Sequence, residues 1–177
     1  RQLSALRAPG TATLTRRVRA SASKRSQVEA ADRVRGFAGC REYSEGLVAL
    51  ARDDMTAALP ALLAAARQGH DDAAYRGGPA ASSLADSAAA LELWGQAARA
   101  GYADAATAFG FALHDLNSVS EAREWFERAG RSGDARGYAV LTSLDMDEPA
   151  GRRKWANLGA QAGDPYCMGE LAACLFQ

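Results

Sequence analysis

Long apolar runs are absent from this sequence of 177 residues, which contains no stretch of 18 consecutive apolar residues and therefore predicts no membrane-spanning helix. β-Branched residues are sparse and never alternate with polar residues over a useful length, so no β-strand is predicted. Neither a G-x-x-x-x-G-K-[ST] nor a G-x-G-x-x-G pattern occurs, and a phosphate-binding loop is not indicated.

Cysteine is also scarce and lacks any metal-binding arrangement. The three cysteines, Cys40, Cys167 and Cys174, form no C-x-x-C pair and no zinc spacing. Cys167 and Cys174 are seven residues apart, which on one helix is about 10 Å and too far for a disulfide. Both are predicted to pack in the core, and the absence of a disulfide framework favours a reducing compartment.

Only two histidines are present, His70 and His114, each followed by aspartate. A metal site of the His-Asp type needs further imidazoles, so no metal ligand is predicted. Asp71 or Asp72 is predicted to cap a helix, and His114 to lie at a helix C-terminus, where the dipole favours a cation. No cysteine or serine stands in a nucleophile motif, and the sequence therefore predicts a non-enzyme without catalytic residues or cofactors.

Charge is unevenly distributed although the formal net charge is zero. Residues 1–28 carry seven basic groups and no acid, whereas residues 29–177 carry 14 basic and 21 acidic groups, a balance of −7. An arginine- and serine-rich segment without acids is typical of an organellar transit peptide. Val18-Arg19-Ala20 resembles the V-x-A cleavage site of algal chloroplast precursors, which favours the chloroplast over the mitochondrion. Only two lysines accompany 19 arginines, a bias typical of a GC-rich genome, and a bacterial cytoplasm is the alternative.

What the sequence does contain is a period. Gly69, Gly101, Gly133 and Gly163 follow one another at steps of 32, 32 and 30 residues. A pair of small residues precedes each glycine, and another small residue follows it four positions later. A fixed period in this range predicts stacked helical hairpins. Each glycine is expected to end the second helix of its hairpin in the left-handed conformation, which is cheap only for glycine.

Apolar periodicity and capping residues predict the helices between these glycines. Pro60 is expected to kink its helix or delay its start, and Gly77-Gly78-Pro79 to break the chain. Ser118 and Glu121 have the spacing of a capping box. The predicted helices are Arg41 to Arg52, Asp53 or Asp54 to Gly69, Ser83 or Asp86 to Gly101, Asp104 to His114, Ser118 or Ser120 to Gly130 or Gly133, Asp134 to Leu144, Asp147 to Gly163, and one that starts at Asp164-Pro165.

Tryptophans recur at two adjacent positions of the period. Trp125 and Trp155 stand eight residues before their glycines, and Trp94 stands seven before Gly101. Large rings at these positions are predicted to fill the space that the small residues leave between helices. The frame A-x-x-W-x-x-x-A-A-x-x-G is best matched by residues 122–133, although a glycine replaces its second paired alanine.

This frame resembles the Sel-one-like repeat, a relative of the tetratricopeptide repeat, and Phe109-Gly110 is similar to the Leu-Gly pair of the family's first helix. The resemblance covers about residues 53–177 and is strongest over 90–165, although Leu141-Thr142 and Leu171-Ala172 replace the Leu-Gly pair. It implies an all-α fold, an αα-hairpin solenoid of about four units. It also implies the role of most members of the family, which are adaptors and assembly scaffolds.

Two parts of the chain are therefore predicted: a basic segment, 1–28, and a helical-repeat domain, 29–177. The predicted function is a protein–protein interaction scaffold, a structural or assembly subunit of a larger organellar complex that binds through its grooved helical face. The alternatives are an RNA-contacting subunit, for example of an organellar ribosome, which uses residues 1–28, and a bacterial Sel-one-like repeat adaptor. The candidate partner-binding residues are Arg16, Arg17, Arg19, Lys24, Arg25, Arg152, Arg153 and Lys154.

Overall fold

The computed structural model describes residues 39–175, and this range is built from α-helices without a strand. Predicted segments that fall on residues 1–28 lie outside the described residues. The helices in the described range are α1 Cys40–Ala51, α2 Met55–Arg67, α3 Asp71–Ser83, α4 Ser87–Ala100, α5 Ala103–Asp115, α6 Val119–Arg131, α7 Arg136–Leu144, α8 Pro149–Gln161 and α9 Pro165–Leu175.

Each helix packs mainly against the helix before it and the helix after it. Short loops join successive helices, so neighbours in the chain form hairpins. The arrangement is an all-α solenoid of helical hairpins, as the period of the glycines predicted. In each repeat the first helix, such as α3 or α5, follows a period glycine, and the second helix, such as α4 or α6, ends at the next one.

The period glycines have the predicted conformation. Gly69, Gly101, Gly133 and Gly163 have φ angles of 90°, 105°, 107° and 86°, and a β-carbon built at any of them would meet no atom within 4 Å. The amide of the following residue donates to the carbonyl five positions earlier, at 2.9–3.2 Å, which is the hydrogen bond of a Schellman-type helix end. Backbone conformation alone therefore requires glycine at these four positions.

A second period lies in the turns between the two helices of a hairpin. Asp53, Ala85 and Asn117 have φ angles of 58°, 56° and 61° and are spaced 32 residues apart. Aspartate and asparagine tolerate the left-handed region, whereas alanine there costs about 1 kcal/mol. The repeat thus fixes the backbone at both ends of its helices, although the residue types at this second position vary.

Most predicted helix starts are confirmed. Asp54, Asp86 and Asp164 each accept a hydrogen bond from the amide three residues on, at 3.0, 3.0 and 2.8 Å. Pro149 and Pro165 open α8 and α9, where the missing amide hydrogen is not needed. The predicted capping box at Ser118 is wrong, because Ser118 occupies the cap position of α6 without a side-chain hydrogen bond.

The predicted break at Gly77-Gly78-Pro79 is also wrong. Helix α3 continues through all three residues to Ser83. The glycines are there for a close contact, since a β-carbon on Gly78 would lie 2.5 Å from the ring of Trp94. Packing of this ring against the helix stabilises the helix and overrides the low intrinsic propensity of glycine.

Pro60 likewise lies inside an unbroken helix. Helix α2 begins at Met55, so the predicted late start is wrong. Pro60 is exposed, and the carbonyl group that lost its amide donor can bond to water. Apolar burial of Leu59 and Leu62 on the opposite side holds the helix against the core.

The core divides into two clusters of different composition. From α1 to α4 the buried side chains are leucines and alanines, including Leu62 and Leu93, both 0% exposed. From α5 to α9 large aromatic rings join the alanines and leucines, including Phe126, Tyr138 and Trp155. We call these the leucine half and the aromatic half. Trp94 packs against both clusters.

Where the two helices of a hairpin face each other, a small residue on one helix lies against a large side chain on the other. Gly78 faces Trp94, and Gly110 faces Phe126, whose ring would lie 2.6 Å from a β-carbon on Gly110. At the corresponding positions of the next repeat the first helix has Thr142 and the second has only Ala156, both fully buried. A larger residue on one helix thus accompanies a smaller one on its neighbour, as close packing requires.

Candidate functional site

The first hollow of the surface lies between α5, α7 and α9. It has a volume of about 470 Å³ and is lined largely by apolar side chains, including Phe111, Val140, Leu144 and Tyr166. Helix α5 produces this exposure, because Phe109 turns into the core and Phe111, two residues on, must point to another side of the helix. The ring of Phe111 is 47% exposed and meets Phe126 edge to face at 5.1 Å.

A second hollow of about 510 Å³ adjoins the other side of Phe111. Its lining comes from the loop between α3 and α4 and from α4 and α5. Trp94 and Ala112 contribute apolar surface, and Asp86 and Asp115 contribute carboxylates. Asp86 is held in place because it caps α4.

A third hollow of about 310 Å³ lies on the leucine half and shares Trp94 with the second. Leu50, Met55, Tyr75 and Arg76 are among its lining residues. The three hollows are therefore linked by two shared aromatic side chains, Phe111 and Trp94. We call the first and second hollows, joined at Phe111, the apolar groove.

Hydrogen bonds between successive repeats fix the helices that carry the groove. The hydroxyl of Tyr75 donates to Asp104 at 2.6 Å, and that of Thr107 donates to Asp134 at 2.7 Å. Tyr102 donates to Asp72, and this bond, together with partial burial, raises the pKa of Tyr102 to about 12. A surface with fixed spacing loses little conformational freedom when it binds a ligand.

A partly buried ion pair connects three elements of the aromatic half. Both oxygens of Asp145 accept from the guanidinium of Arg123, at 2.6 and 2.9 Å, and the Trp155 indole donates to the same carboxylate at 2.8 Å. The bond from Arg123 is the main reason that the pKa of Asp145 lies below its ordinary value; the indole adds to it. The side chain of Asp145 is only 8% exposed, so this group acts in structure rather than at the surface.

The predicted partner-binding cations of α8 have three different environments. Arg152 donates to Glu170 of α9 through Nε at 2.8 Å and also through Nη2, and its side chain is only 18% exposed. Lys154 places Nζ 3.8 Å from the ring centre of Trp155. Arg153 is exposed. The contacts of Arg152 and Lys154 account for cations in the first half of a helix, where the dipole disfavours them. The other predicted partner-binding residues, Arg16, Arg17, Arg19, Lys24 and Arg25, lie outside the described residues.

The tryptophans of the repeat occupy two positions: Trp94 lies seven residues before its period glycine, and Trp125 and Trp155 lie eight residues before theirs. Trp94 lies against Gly78, and its indole donates to Ser82 at 3.2 Å. Trp125 meets Phe109 edge to face at 5.2 Å, and Trp155 stacks on Tyr138 at 6.3 Å.

The histidines are placed as helix-end residues, with one correction. His70 itself caps α3, since its Nδ1 accepts from the amide of Ala73 at 3.2 Å and its ring stacks on Tyr43 at 4.1 Å. The prediction that Asp71 or Asp72 caps this helix is therefore wrong; both lie in its first turn. His114 lies in the last turn of α5 and lines the first hollow. Within residues 39–175 no three His, Cys, Asp or Glu side chains are grouped as metal ligands would be.

Sequence reasoning did not find the groove residues Phe111, Leu144 and Tyr166. One usable signal was present: Phe109 and Phe111 are two residues apart on a helix, and both cannot face the same core.

No helix in the described range is long and apolar enough to cross a membrane. No protein-family model matches the chain, and no curated protein matches it.

Proposed function

We propose that this protein is a non-catalytic scaffold that binds a segment of a partner protein in the apolar groove. The observation that carries the proposal is the exposure of three large side chains beside one hollow: Phe111 is 47%, Tyr166 44% and Leu144 36% exposed. Contiguous apolar surface that is exposed on a soluble fold marks a binding site more often than chance.

The shape of the groove supports a peptide-like ligand. It runs across successive helices of the solenoid and offers mainly apolar surface, with serines and the carboxylates of Asp86 and Asp115 in the second hollow, which suits the side chains of an extended or helical segment. The helices on either side are held by the hydrogen bonds from Tyr75 and Thr107. Binding to such a preorganised surface costs little ordering of the protein.

The wider assignment rests on the sequence. The glycine period and the frame of residues 122–133 support a Sel-one-like repeat protein, a subunit of a larger assembly. The basic composition of residues 1–28 supports an organelle as its location, with the chloroplast favoured over the mitochondrion.

Photo-crosslinking in the full chain tests the groove. A photoreactive amino acid replaces Phe111 in one variant and Val48 in the other; Val48 is 50% exposed and lines none of the three hollows. We expect one protein to be crosslinked from position 111 and not from position 48. The crosslinked protein is then purified, and its affinity for the wild type is compared with its affinities for Phe111→Glu and Val48→Glu.

Phe111→Glu is expected to weaken this affinity by about tenfold or more, since a buried carboxylate would replace an apolar contact. Val48→Glu is expected to leave it unchanged. Equal affinities of the two variants would contradict the proposal, and crosslinks from position 111 to RNA would support the nucleic-acid alternative instead.

A further inference from the structure

The second hollow of the apolar groove carries two carboxylates that no described residue neutralises. Asp86 and Asp115 line it, both are exposed, and neither arginine nor lysine is among the described residues that line the groove. Neither aspartate forms an ion pair with a described residue. His114, the one lining residue that becomes cationic on protonation, belongs to the first hollow. The second hollow therefore attracts a cation from a ligand.

The position of Asp115 strengthens this attraction. Asp115 is the last residue of α5, where the unpaired carbonyl groups of the final turn carry partial negative charge and disfavour an anion. Asp86, by contrast, caps the N-terminus of α4, and its Oδ1 accepts from the amide of Ala89 at 3.0 Å. A cation beside Asp115 interacts with the carboxylate and with the helix end together.

Large apolar side chains adjoin these carboxylates. Leu116 is 58% and Phe111 47% exposed, and both line the second hollow. The aliphatic stem of an arginine or lysine can cover such surface while its charged end reaches a carboxylate. The first hollow, on the other side of Phe111, has no carboxylate among its described lining residues and suits an apolar side chain.

We propose that the apolar groove selects a partner segment that places an arginine or lysine in the second hollow, against Asp115 and Asp86, and a large apolar side chain in the first. This inference rests on the proposed function and adds the chemistry of the partner. Acidic segments and the phosphates of nucleic acids are disfavoured, because like charges repel each other at such a surface. The carboxylates supply selectivity, and the apolar contacts supply most of the affinity.

A selection from random dodecapeptides displayed on phage, with the full chain immobilised, tests this inference. We expect the selected peptides to combine a basic residue with a large apolar residue, and to contain fewer acids than the unselected library. Fluorescent synthetic copies of these peptides are then titrated with the purified full chain, and anisotropy gives the Kd. Phe111→Glu is expected to weaken their binding by about tenfold or more if they occupy the groove.

Two matched double variants isolate the charge. Asp86→Asn/Asp115→Asn retains the cap of α4, because asparagine caps a helix as well as aspartate does. It is expected to bind the selected peptides about threefold to tenfold more weakly, as the loss of two exposed ion pairs requires. Asp53→Asn/Asp147→Asn removes the same charge at exposed positions outside the three hollows and is expected to bind like the wild type.

A change in the peptide completes the cycle. Glutamine in place of its basic residue is expected to weaken binding to the wild type by about the same factor, and to leave binding to Asp86→Asn/Asp115→Asn unchanged. Circular dichroism of each variant verifies that the chain is folded.

Equal affinities of the two double variants overturn the inference, and so does a selection without enriched basic residues. The two proposals fail separately. If the peptides require Phe111 but not the carboxylates, and a partner protein crosslinks from position 111, the scaffold function stands and the charge selectivity falls. If the peptides require both but no protein crosslinks there, the charge selectivity stands and the scaffold function falls. If no selected peptide requires Phe111, the selectivity of the groove falls.

Discussion

The leucine half and the aromatic half form the same helical hairpins around cores of different side chains. Leu62 and Leu93 fill the first, whereas Phe126, Tyr138 and Trp155 fill the second. The halves also differ in their polar contacts. The described ion pair that is most deeply buried at its acidic side chain, Arg123–Asp145, belongs to the aromatic half, and the leucine half is bridged by more exposed pairs such as Arg67–Glu92.

This comparison shows which parts of the repeat are fixed. The left-handed turn at each period glycine and the spacing between helices are common to both halves. The side chains between the helices vary as long as a large residue faces a small one, as Gly78 faces Trp94 and Gly110 faces Phe126. The largest expected effects therefore come from changes that force two helices apart.

Gly137→Ala is expected to destabilise the protein most, by about 3 kcal/mol or more. Its β-carbon would overlap the carbonyl oxygen of Phe126 and lie 2.9 Å from the amide nitrogen of Gly130, and backbone atoms cannot rotate away. The corresponding residues of the two preceding repeats, Ala73 and Ala105, already hold a buried methyl group there. Urea unfolding monitored by circular dichroism measures the loss.

The control for this change is Gly169→Ala in α9, where an added β-carbon would meet no atom within 4 Å. It is expected to stabilise the helix by about 0.5–1 kcal/mol. A Gly137→Ala variant that unfolds at the wild-type urea concentration would show that α6 and α7 tolerate a wider separation than the structure has.

A double-mutant cycle at Gly110 and Phe126 tests whether the small residue on α5 makes room for the large ring on α6. Gly110→Ala alone is expected to cost about 2 kcal/mol, because its methyl group would lie 2.6 Å from the Phe126 ring. Phe126→Leu alone is expected to cost about 1–2 kcal/mol through lost packing. The double variant is expected to cost at least about 1 kcal/mol less than the sum, since the smaller side chain makes room for the methyl group.

Leu62→Val in the leucine half provides the control for this cycle. It is buried in the other core cluster, and its cost is expected to add to that of Gly110→Ala within about 0.5 kcal/mol. Strict additivity at Gly110 and Phe126 would contradict the idea that the two positions share one space. Both cycles are measured by chemical unfolding.

Asp145→Asn is expected to cost about 1–3 kcal/mol at pH 7, because it removes the charged acceptor of Arg123. The pKa of Asp145 is lowered in the folded state, so its carboxylate stabilises the fold above the unfolded pKa of about 3.9. That stability is lost as the pH falls through the lower folded value. The difference between wild type and variant is therefore expected to shrink below about pH 4.

Thermal unfolding between pH 2.5 and 7 measures this difference. Asp147→Asn, at an exposed position two residues away, is the control and is expected to change stability by less than about 0.5 kcal/mol. A difference for Asp145→Asn that is the same at pH 3 and pH 7 would show that its charge does not contribute.

Features of the fold that depend on local chemistry could be predicted from the sequence. The ends at Gly69 and Gly101 need a positive φ, and the starts at Asp54 and Pro149 need a cap or no amide hydrogen. The break predicted at Gly78 failed because glycine has two uses. It ends helices where φ is positive, and it admits a ring where two helices approach, and only the contact with Trp94 distinguishes them.

The sequence predicted that a grooved helical face binds the partner, but it did not predict which residues line the groove. Its position depends on which side of α5 is buried, and that is decided by the neighbouring helices. The pair Phe109 and Phe111 shows that one ring must be exposed, but both residues are equally apolar. Its carboxylates, Asp86 and Asp115, are far apart in the sequence and line one hollow only because α3, α4 and α5 pack in succession.

The predominance of contacts between successive helices has a mechanical consequence. Each helix packs mainly on its two neighbours, so a pull on the ends of the solenoid passes through every interface in turn, as through springs in series. The compliance of such a chain is the sum of the compliances of its joints. The hollow beside Phe111 is lined by residues of α5, α6, α7 and α9, so bending between these helices would change its width, and a load on the solenoid would be transmitted to the proposed binding surface.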